Sequence, residues 1–236
     1  MTAMLRAGCA LLAYSPSCSF LFLFSRRPQL IIIALAGAFA WLVSALMTAF
    51  LWMFFQLGRD NIWPLLIIVS SLFQECARFA IIYAYRRTES VIKKSSPHSN
   101  EVFPLNDITS SIAAGVGFGT MHSMMMYGSV LASSDGSAVL FEDSCETVPA
   151  VMVGALLSLG FCILDVVLMC LAFLAERYRS KLLVAAICIF HIVAGLSTLA
   201  NQETNGCKVS LSLILVVIIL AVGLLAWLRP VFLKGI

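Results

Sequence analysis

Five side chains that can carry charge lie inside strongly apolar stretches: Glu75, Arg78, His122, Asp165 and His191. Ionisable groups in such stretches are rare and energetically costly, so each one indicates a functional or structural role by default. Glu75 and Arg78 are three residues apart, which places them on one face of a helix where they can form an ion pair. We interpret this pair as self-neutralising rather than proton-carrying.

The other three side chains suggest two kinds of chemistry. Asp165 and His191 lie in apolar runs joined by the short segment ERYRSK, which predicts neighbouring antiparallel helices and a bond between the two residues. Alternatively, Asp165, His191 and His122 suit a proton relay or a metal-dependent membrane hydrolase. No HExxH, GxSxG or paired-aspartate signature accompanies them, so we favour structural pairing and predict no metal or other cofactor.

Composition predicts the elements that carry these residues. Of the 236 residues, 61% are hydrophobic and 11% are charged, and the mean hydropathy of +1.00 lies outside the range typical of soluble domains. A helix needs roughly 20 apolar residues to cross a bilayer. Seven runs qualify, at 7–24, 30–57, 62–85, 108–132, 148–175, 182–199 and 209–228. We therefore predict one all-α membrane domain over residues 1–236, a bundle of seven transmembrane helices.

The basic residues between the runs predict the orientation. Eleven of them fall on one side of the membrane and three on the other. By the positive-inside rule the richer side is cytosolic, so the N-terminus is luminal or extracellular and the C-terminus cytosolic. Residues 86–107 then form a flexible cytosolic loop between spans three and four, and 133–147 form an acidic luminal loop. No basic patch typical of nucleic-acid binding is present; a cleavable signal peptide is the less favoured interpretation of residues 1–24.

Helical rise predicts that the polar residues share one depth. Glu75, Asp165 and His191 each lie nine or ten residues from the cytosolic end of their span. At about 1.5 Å per residue, all three sit about 15 Å from that boundary. Arg78 lies beside Glu75, and His122 lies about one turn further out. The sequence therefore predicts a polar layer near mid-membrane.

Span four has an unusual density of small residues, in the stretch AAGVGFGTMHSMMMYGS. Gly115, Gly119 and Ser123 recur at every fourth residue and line one helix face. Such a face lets the backbone of another membrane helix approach closely, so we predict a helix-packing interface there. Gly117 lies off this face and receives no role, and His122, adjacent to it, is expected to bond to a neighbouring helix.

Two of the eight cysteines fall in loops. The other six lie in membrane runs, where cysteine behaves as a small apolar residue. Cys145 and Cys207 both fall on the predicted luminal side, where oxidising conditions permit a disulfide. Either a disulfide or two unpaired thiols is compatible with this placement.

Several sequence segments together resemble one membrane-protein family. They are AGAFAWLVSALMTAFLW in span two, LFQECARFA in span three, GVGFG in span four and FHIVAGLSTLAN at the end of span six. The N-terminal GCALLAYSPSCSFLF is also similar. The chain resembles the anterior-pharynx-defective family, the seven-span scaffold subunit of gamma-secretase, from Gly8 to the last span.

The resemblance implies assembly rather than chemistry. It implies a non-catalytic scaffold that binds presenilin, nicastrin and the presenilin enhancer within membrane lipid, while presenilin carries the catalytic aspartates. The complex would cleave single-pass membrane proteins such as Notch-type receptors, in the endoplasmic reticulum, the Golgi and the plasma membrane. The double-glycine motif of the family maps onto Gly115 and Gly119.

One departure from the family pattern concerns its intramembrane histidines, which lie in spans five and six. His191 matches the second histidine, whereas the first falls on Asp165, or on Leu164 when AERYR is aligned. A bond between Asp165 and His191 is the predicted substitute. A receptor or retinal protein is a third functional class, disfavoured because span seven has no lysine for a Schiff base.

Overall fold

The chain is largely helical in the computed structural model, which describes residues 3–55, 62–95, 106–133, 144–145 and 148–233. These residues form seven α-helices and one short 3-10 helix after the sixth. The helices are α1 Ala3–Phe24, α2 Pro28–Phe55, α3 Trp63–Ser95, α4 Asp107–Ser133, α5 Ala150–Arg177, α6 Lys181–Ser197, the 3-10 helix Thr198–Gln202 and α7 Gly206–Leu233. The prediction of a seven-helix, all-α membrane protein is confirmed.

Six of the helices are long and apolar enough to cross a membrane: α1, α2, α3, α5, α6 with its 3-10 extension, and α7. Helix α4 is less apolar because Ser, Thr, Gly and His residues interrupt its hydrophobic run. It can carry these residues because it packs against α1, α2 and α5 inside the bundle. The chain is accordingly an integral, multi-pass membrane protein.

Helices α4 and α5 form the centre of the bundle. Helix α5 packs against α1, α3, α4, α6 and α7, and it carries a long series of buried side chains. Helix α2 packs against both α3 and α4, and α3 packs against α6. The predicted polar residues lie on α3, α4, α5 and α6, so these contacts bring them together.

Helix α3 is longer than predicted. It continues past Tyr85 through Ser95, so the first ten residues of the predicted loop at 86–107 are helical. This stretch contains no Gly or Pro, so nothing in its residue types ends the helix. The remainder of that loop up to residue 105 lies outside the described residues, as does most of the predicted loop at 133–147.

Cys145 and Cys207 are joined by a disulfide. The backbone N–H of Cys207 also donates to the Ser144 carbonyl at 3.1 Å. These bonds tie the segment that precedes α5 to the start of α7. They therefore fix one end of α7 to the helix at the centre of the bundle.

Candidate functional site

The five ionisable residues singled out by the sequence form a continuous chain of bonds through the bundle. His191 Nδ1 lies 2.5 Å from Glu75 Oε1, and Arg78 Nε donates to Glu75 Oε2 at 3.1 Å. Arg78 Nη2 donates to Asp165 Oδ1 at 2.8 Å, and Asp165 Oδ2 lies 2.8 Å from His122 Nδ1. We call these five residues the core network. It connects α6, α3, α5 and α4.

Arg78 is the centre of the core network and is fully buried. Besides bridging Glu75 and Asp165, it donates from Nη1 to the backbone carbonyl of Asp165 at 2.9 Å. Its Cζ lies 4.6 Å from the centroid of the Phe118 ring, a cation–π contact. The guanidinium is therefore fully compensated, which a charge in a low-dielectric interior requires.

Imidazole rings end the core network on both sides. The His122 ring stacks on the Trp41 indole, with the ring centroids 5.1 Å apart, and lies 4.9 Å from the centroid of Phe161. His191 is buried. Each imidazole turns Nδ1 toward a carboxylate, which only accepts hydrogen bonds, so Nδ1 is the donor. In a neutral ring, Nε2 is then the acceptor.

The predicted bond between Asp165 and His191 is wrong. Asp165 bonds to Arg78 and His122, whereas His191 bonds to Glu75. Helices α5 and α6 are neighbours, as ERYRSK predicts, but a short connection does not fix the direction in which each side chain faces. The imidazole opposite Asp165 comes from α4 instead.

This pairing gives the three residues considered for a metal-dependent hydrolase different bonding partners, although His122 and His191 both line one cavity. Asp165 and His122 lie at one end of the core network and His191 at the other. Within the described ranges, no group of three or more His, Cys, Asp or Glu residues is arranged to hold a metal ion. The geometry favours a structural role for the ionisable groups, in which they bond neighbouring helices to one another.

The small residues of α4 face α5. A Cβ atom on Gly115 would lie 2.8 Å from Val166 Cα, and one on Gly119 would lie 2.9 Å from the Cys162 carbonyl oxygen. Ser123 Oγ donates to a carbonyl of α5, that of Ser158, at 2.8 Å. The helix partner of this face is therefore within the chain, and the close contact positions His122 opposite Asp165.

Gly117, which received no role from the sequence, faces α2. A Cβ atom there would overlap the Ala34 carbonyl, and one on Gly37 would overlap the Ala114 carbonyl. Glycines thus allow α4 to approach two helices on different faces. Helix α4 is rich in glycine because it has two close interfaces, one with α5 and one with α2.

Two adjoining cavities reach the core network. The inner cavity has a volume of about 220 Å³ and is bounded in part by Ser71, His191 and Thr198. The outer cavity, of about 580 Å³, extends between α2, α3 and α4 to Trp52 and Trp63. The residues that border both cavities are Ser70, Gln74, His122 and Met126.

A second group of charges lies beside the polar extension of α3, where α5 ends and α4 begins. Arg86 donates to both carboxylate oxygens of Asp107 at 2.8 Å each. Arg86 also lies 3.5 Å from Glu176 and 3.3 Å from Glu89, and Arg177 donates to Asp107 at 3.2 Å. We call these five residues the rim cluster. The sequence predicts only loop charge in this region, and these contacts were not predicted.

Two aromatic contacts of the core network, those of Trp41 and Phe118, were also not predicted from the sequence. In the sequence, both are ordinary apolar residues of a membrane run, and their spacing does not predict a contact with His122 or Arg78. Gly37 and Gly117 could have indicated that α2 and α4 approach each other closely. This approach brings Trp41 to His122.

Comparison with known proteins extends over nearly the whole chain. Residues 4–229 match the Aph-1 protein family. The gamma-secretase subunit APH1-like of Arabidopsis thaliana is 30% identical over 238 residues, covering 97% of this chain and 95% of the relative. The gamma-secretase subunit APH-1B of Homo sapiens is 31% identical over 145 residues, 58% of this chain and 55% of the relative. The gamma-secretase subunit Aph-1 of Drosophila melanogaster is 28% identical over 134 residues, 56% and 55% of the two chains. The chain therefore belongs to the Aph-1 family.

Proposed function

We propose that the chain is a non-catalytic scaffold subunit of a gamma-secretase complex. The observation that carries this proposal is the family match over residues 4–229, with relatives named as gamma-secretase subunits. The core network supports it, because its charged groups bond to one another across four helices. Groups bonded in this way hold a bundle in one arrangement, as a scaffold requires.

The partners in this proposal are presenilin, nicastrin and the presenilin enhancer. Presenilin supplies the catalytic aspartates, and the complex cleaves single-pass membrane proteins such as Notch-type receptors. The chain works in the endoplasmic reticulum, the Golgi and the plasma membrane, with its N-terminus on the luminal side. The scaffold holds its helices in a fixed arrangement and so presents a constant surface to these partners.

Co-purification tests the proposal. An affinity-tagged full-length chain, expressed with the three partners, is expected to recover all of them in equal amounts, as measured by quantitative mass spectrometry. The purified chain alone is expected not to cleave a single-pass substrate that the assembled complex cleaves. Cleavage by the chain alone, or recovery of the folded chain without presenilin, would contradict the proposal.

Two glycines of α4 provide a matched pair of variants. Gly119→Leu places a large side chain against the Cys162 carbonyl, whereas a Cβ atom at Gly128 meets no atom within 4 Å. We expect Gly119→Leu to alter the packing of α4 on α5 and to abolish co-purification, and Gly128→Leu to leave it unchanged. Full assembly of the Gly119→Leu variant would show that this contact does not support the scaffold.

A further inference from the structure

Gln74 has a buried acceptor that the core network does not use. The residue is 8% exposed, and its Nε2 donates to Ser70 at 3.4 Å. Its Oε1 has no hydrogen-bond partner in the described part of the chain. Because Gln74 borders both cavities, an occupant of either cavity can reach it. Leaving such a group unbonded is costly, so an occupant that donates a hydrogen bond is favoured.

The core network contains more carboxylates than guanidinium groups. Two carboxylates, those of Glu75 and Asp165, face the single guanidinium of Arg78. With both imidazoles neutral, one negative charge remains. Among the described residues that line the inner and outer cavities, none is Asp, Glu, Lys or Arg. In a low-dielectric interior this charge attracts a cation far more strongly than it would in water.

The polar groups of the inner cavity suit a donor with several N–H bonds. His122 and His191 both line it, and each uses Nδ1 on a carboxylate, which leaves Nε2 as the acceptor of the neutral ring. Ser71 and Thr198 add hydroxyl oxygens. An ammonium group has three donors and no acceptor, and therefore matches this lining.

The outer cavity has different chemistry. Trp52 and Trp63 stack at its far end with their ring centroids 5.1 Å apart, and Ala45 and Ala49 leave room between α2 and α3. Trp41, which also lines it, is 6% exposed and its Nε1 donor has no partner among the described residues. An apolar chain suits the walls, and a hydroxyl oxygen suits the indole N–H.

We propose that the two cavities form a binding site for an amphiphilic amino alcohol. Its ammonium group occupies the inner cavity and donates to Gln74 Oε1 and the imidazole Nε2 atoms. Its hydroxyl accepts from Trp41 Nε1, and its alkyl chain fills the outer cavity. The size is appropriate, because ligand pockets typically have volumes of several hundred Å³. This site does not depend on the proposed assembly role.

Photolabelling of the full-length chain in phosphatidylcholine nanodiscs tests the proposal. The probe is a vicinal amino alcohol with an alkyl chain of about twelve carbons and a terminal diazirine, a size that suits the combined site. We expect saturable labelling of peptides that line the outer cavity, located by mass spectrometry. The N-acetylated probe keeps the hydroxyl but loses the charge, and it is expected to need an about tenfold higher concentration for half-maximal labelling. An alkylamine without the hydroxyl should lie between the two.

Variants separate the site from general partitioning into lipid. Gln74→Met keeps the side-chain length but removes the acceptor, and should raise the half-saturating concentration of the amino alcohol about tenfold. Ala49→Trp fills the outer cavity and should abolish saturable labelling. Met47→Trp, on an exposed position of the same helix, serves as the matched control and should leave labelling unchanged.

Three outcomes would overturn the proposal. Equal labelling by the charged and the acetylated probe would show that the ammonium charge contributes nothing to binding. Labelling that does not saturate would indicate partitioning into lipid alone. Saturable labelling that persists in the Ala49→Trp variant would place the probe outside the outer cavity.

Discussion

Two arginines, two turns apart on α3, bond to carboxylates in very different surroundings. Arg78 bridges Glu75 and Asp165 and is fully buried, whereas the Arg86 side chain is 25% exposed and bonds to Asp107. Both connect α3 to other helices with charge-assisted hydrogen bonds near 2.8 Å. The two arginines therefore have similar bond geometry. They differ in whether water can solvate the charge after a bond is lost.

Water can solvate an exposed charge that loses its partner, but a buried charge has no such alternative. Breaking a buried pair leaves an uncompensated ion in a low-dielectric interior, while exposed pairs contribute little. The core network therefore specifies the arrangement of α3, α4, α5 and α6 more strongly than the rim cluster does. Removing a bond of the core network should therefore lower the free energy of unfolding more than removing a bond of the rim cluster.

The largest effect is expected for Arg78→Met. This variant removes the only cation of the core network and leaves the carboxylates of Glu75 and Asp165 repelling each other. We expect a loss of about 3–5 kcal/mol in the free energy of unfolding. Unfolding in mixed micelles measures it, with Arg86→Met as the matched control. Equal losses for the two variants would contradict the contrast.

A smaller effect is expected for Asp165→Asn. The amide keeps the shape and one acceptor for Arg78 but removes the negative charge that Arg78 and His122 share. Hydrogen bonds to charged groups contribute more than neutral ones, so we expect a loss of about 2 kcal/mol. The same unfolding measurement applies. A stabilised variant would show that burying the Asp165 charge costs more than its bonds to Arg78 and His122 contribute.

Arg86→Met should cost about 1 kcal/mol or less, because the rim cluster is partly exposed. The effect should also shrink as salt is added, since at 1 M ionic strength the screening length is roughly 3 Å. Repeating the unfolding measurement at low and high salt checks this, and the loss in Arg78→Met should change little over the same range. A loss for Arg86→Met that does not depend on salt would show that the rim cluster is shielded from solvent like the core network.

The smallest effect is expected for Tyr85→Phe. Ser110 donates to the Tyr85 hydroxyl at 3.0 Å beside the rim cluster, a bond between two neutral groups. Its loss should lower the free energy of unfolding by about 0.5 kcal/mol. Tyr85→Leu also removes the ring that packs on Phe173 and provides the comparison. A larger loss for Tyr85→Phe than for Arg86→Met would reverse the expected order within this region.

The sequence predicts the helices well because the hydrophobic signal is local. Seven apolar runs give seven helices, and most observed ends lie within a few residues of the predicted ones. The exception is α3, whose extension past Tyr85 is polar and therefore invisible to a search for apolar runs. Helix propensity predicts this extension, because no Gly or Pro occurs between Tyr85 and Pro97.

The bonds of the site were predictable only where they are local. Glu75 and Arg78 are on one helix, so their spacing alone predicts the contact. The partners of Asp165 depend on how α3, α4 and α5 are rotated about their axes, which neither loop length nor depth specifies. The glycines of α4 supply part of that missing information, because they fix which of its faces meets α5.

Under the proposed scaffold function, the core network is expected to hold the bundle together and to take no part in catalysis. The most direct test measures the protease activity of purified complexes that contain the Asp165→Asn chain, normalised to the amount of assembled complex. We predict a lower yield of complex and a specific activity within about twofold of the unaltered complex. A complex that assembles in full yield but loses its specific activity would contradict this account.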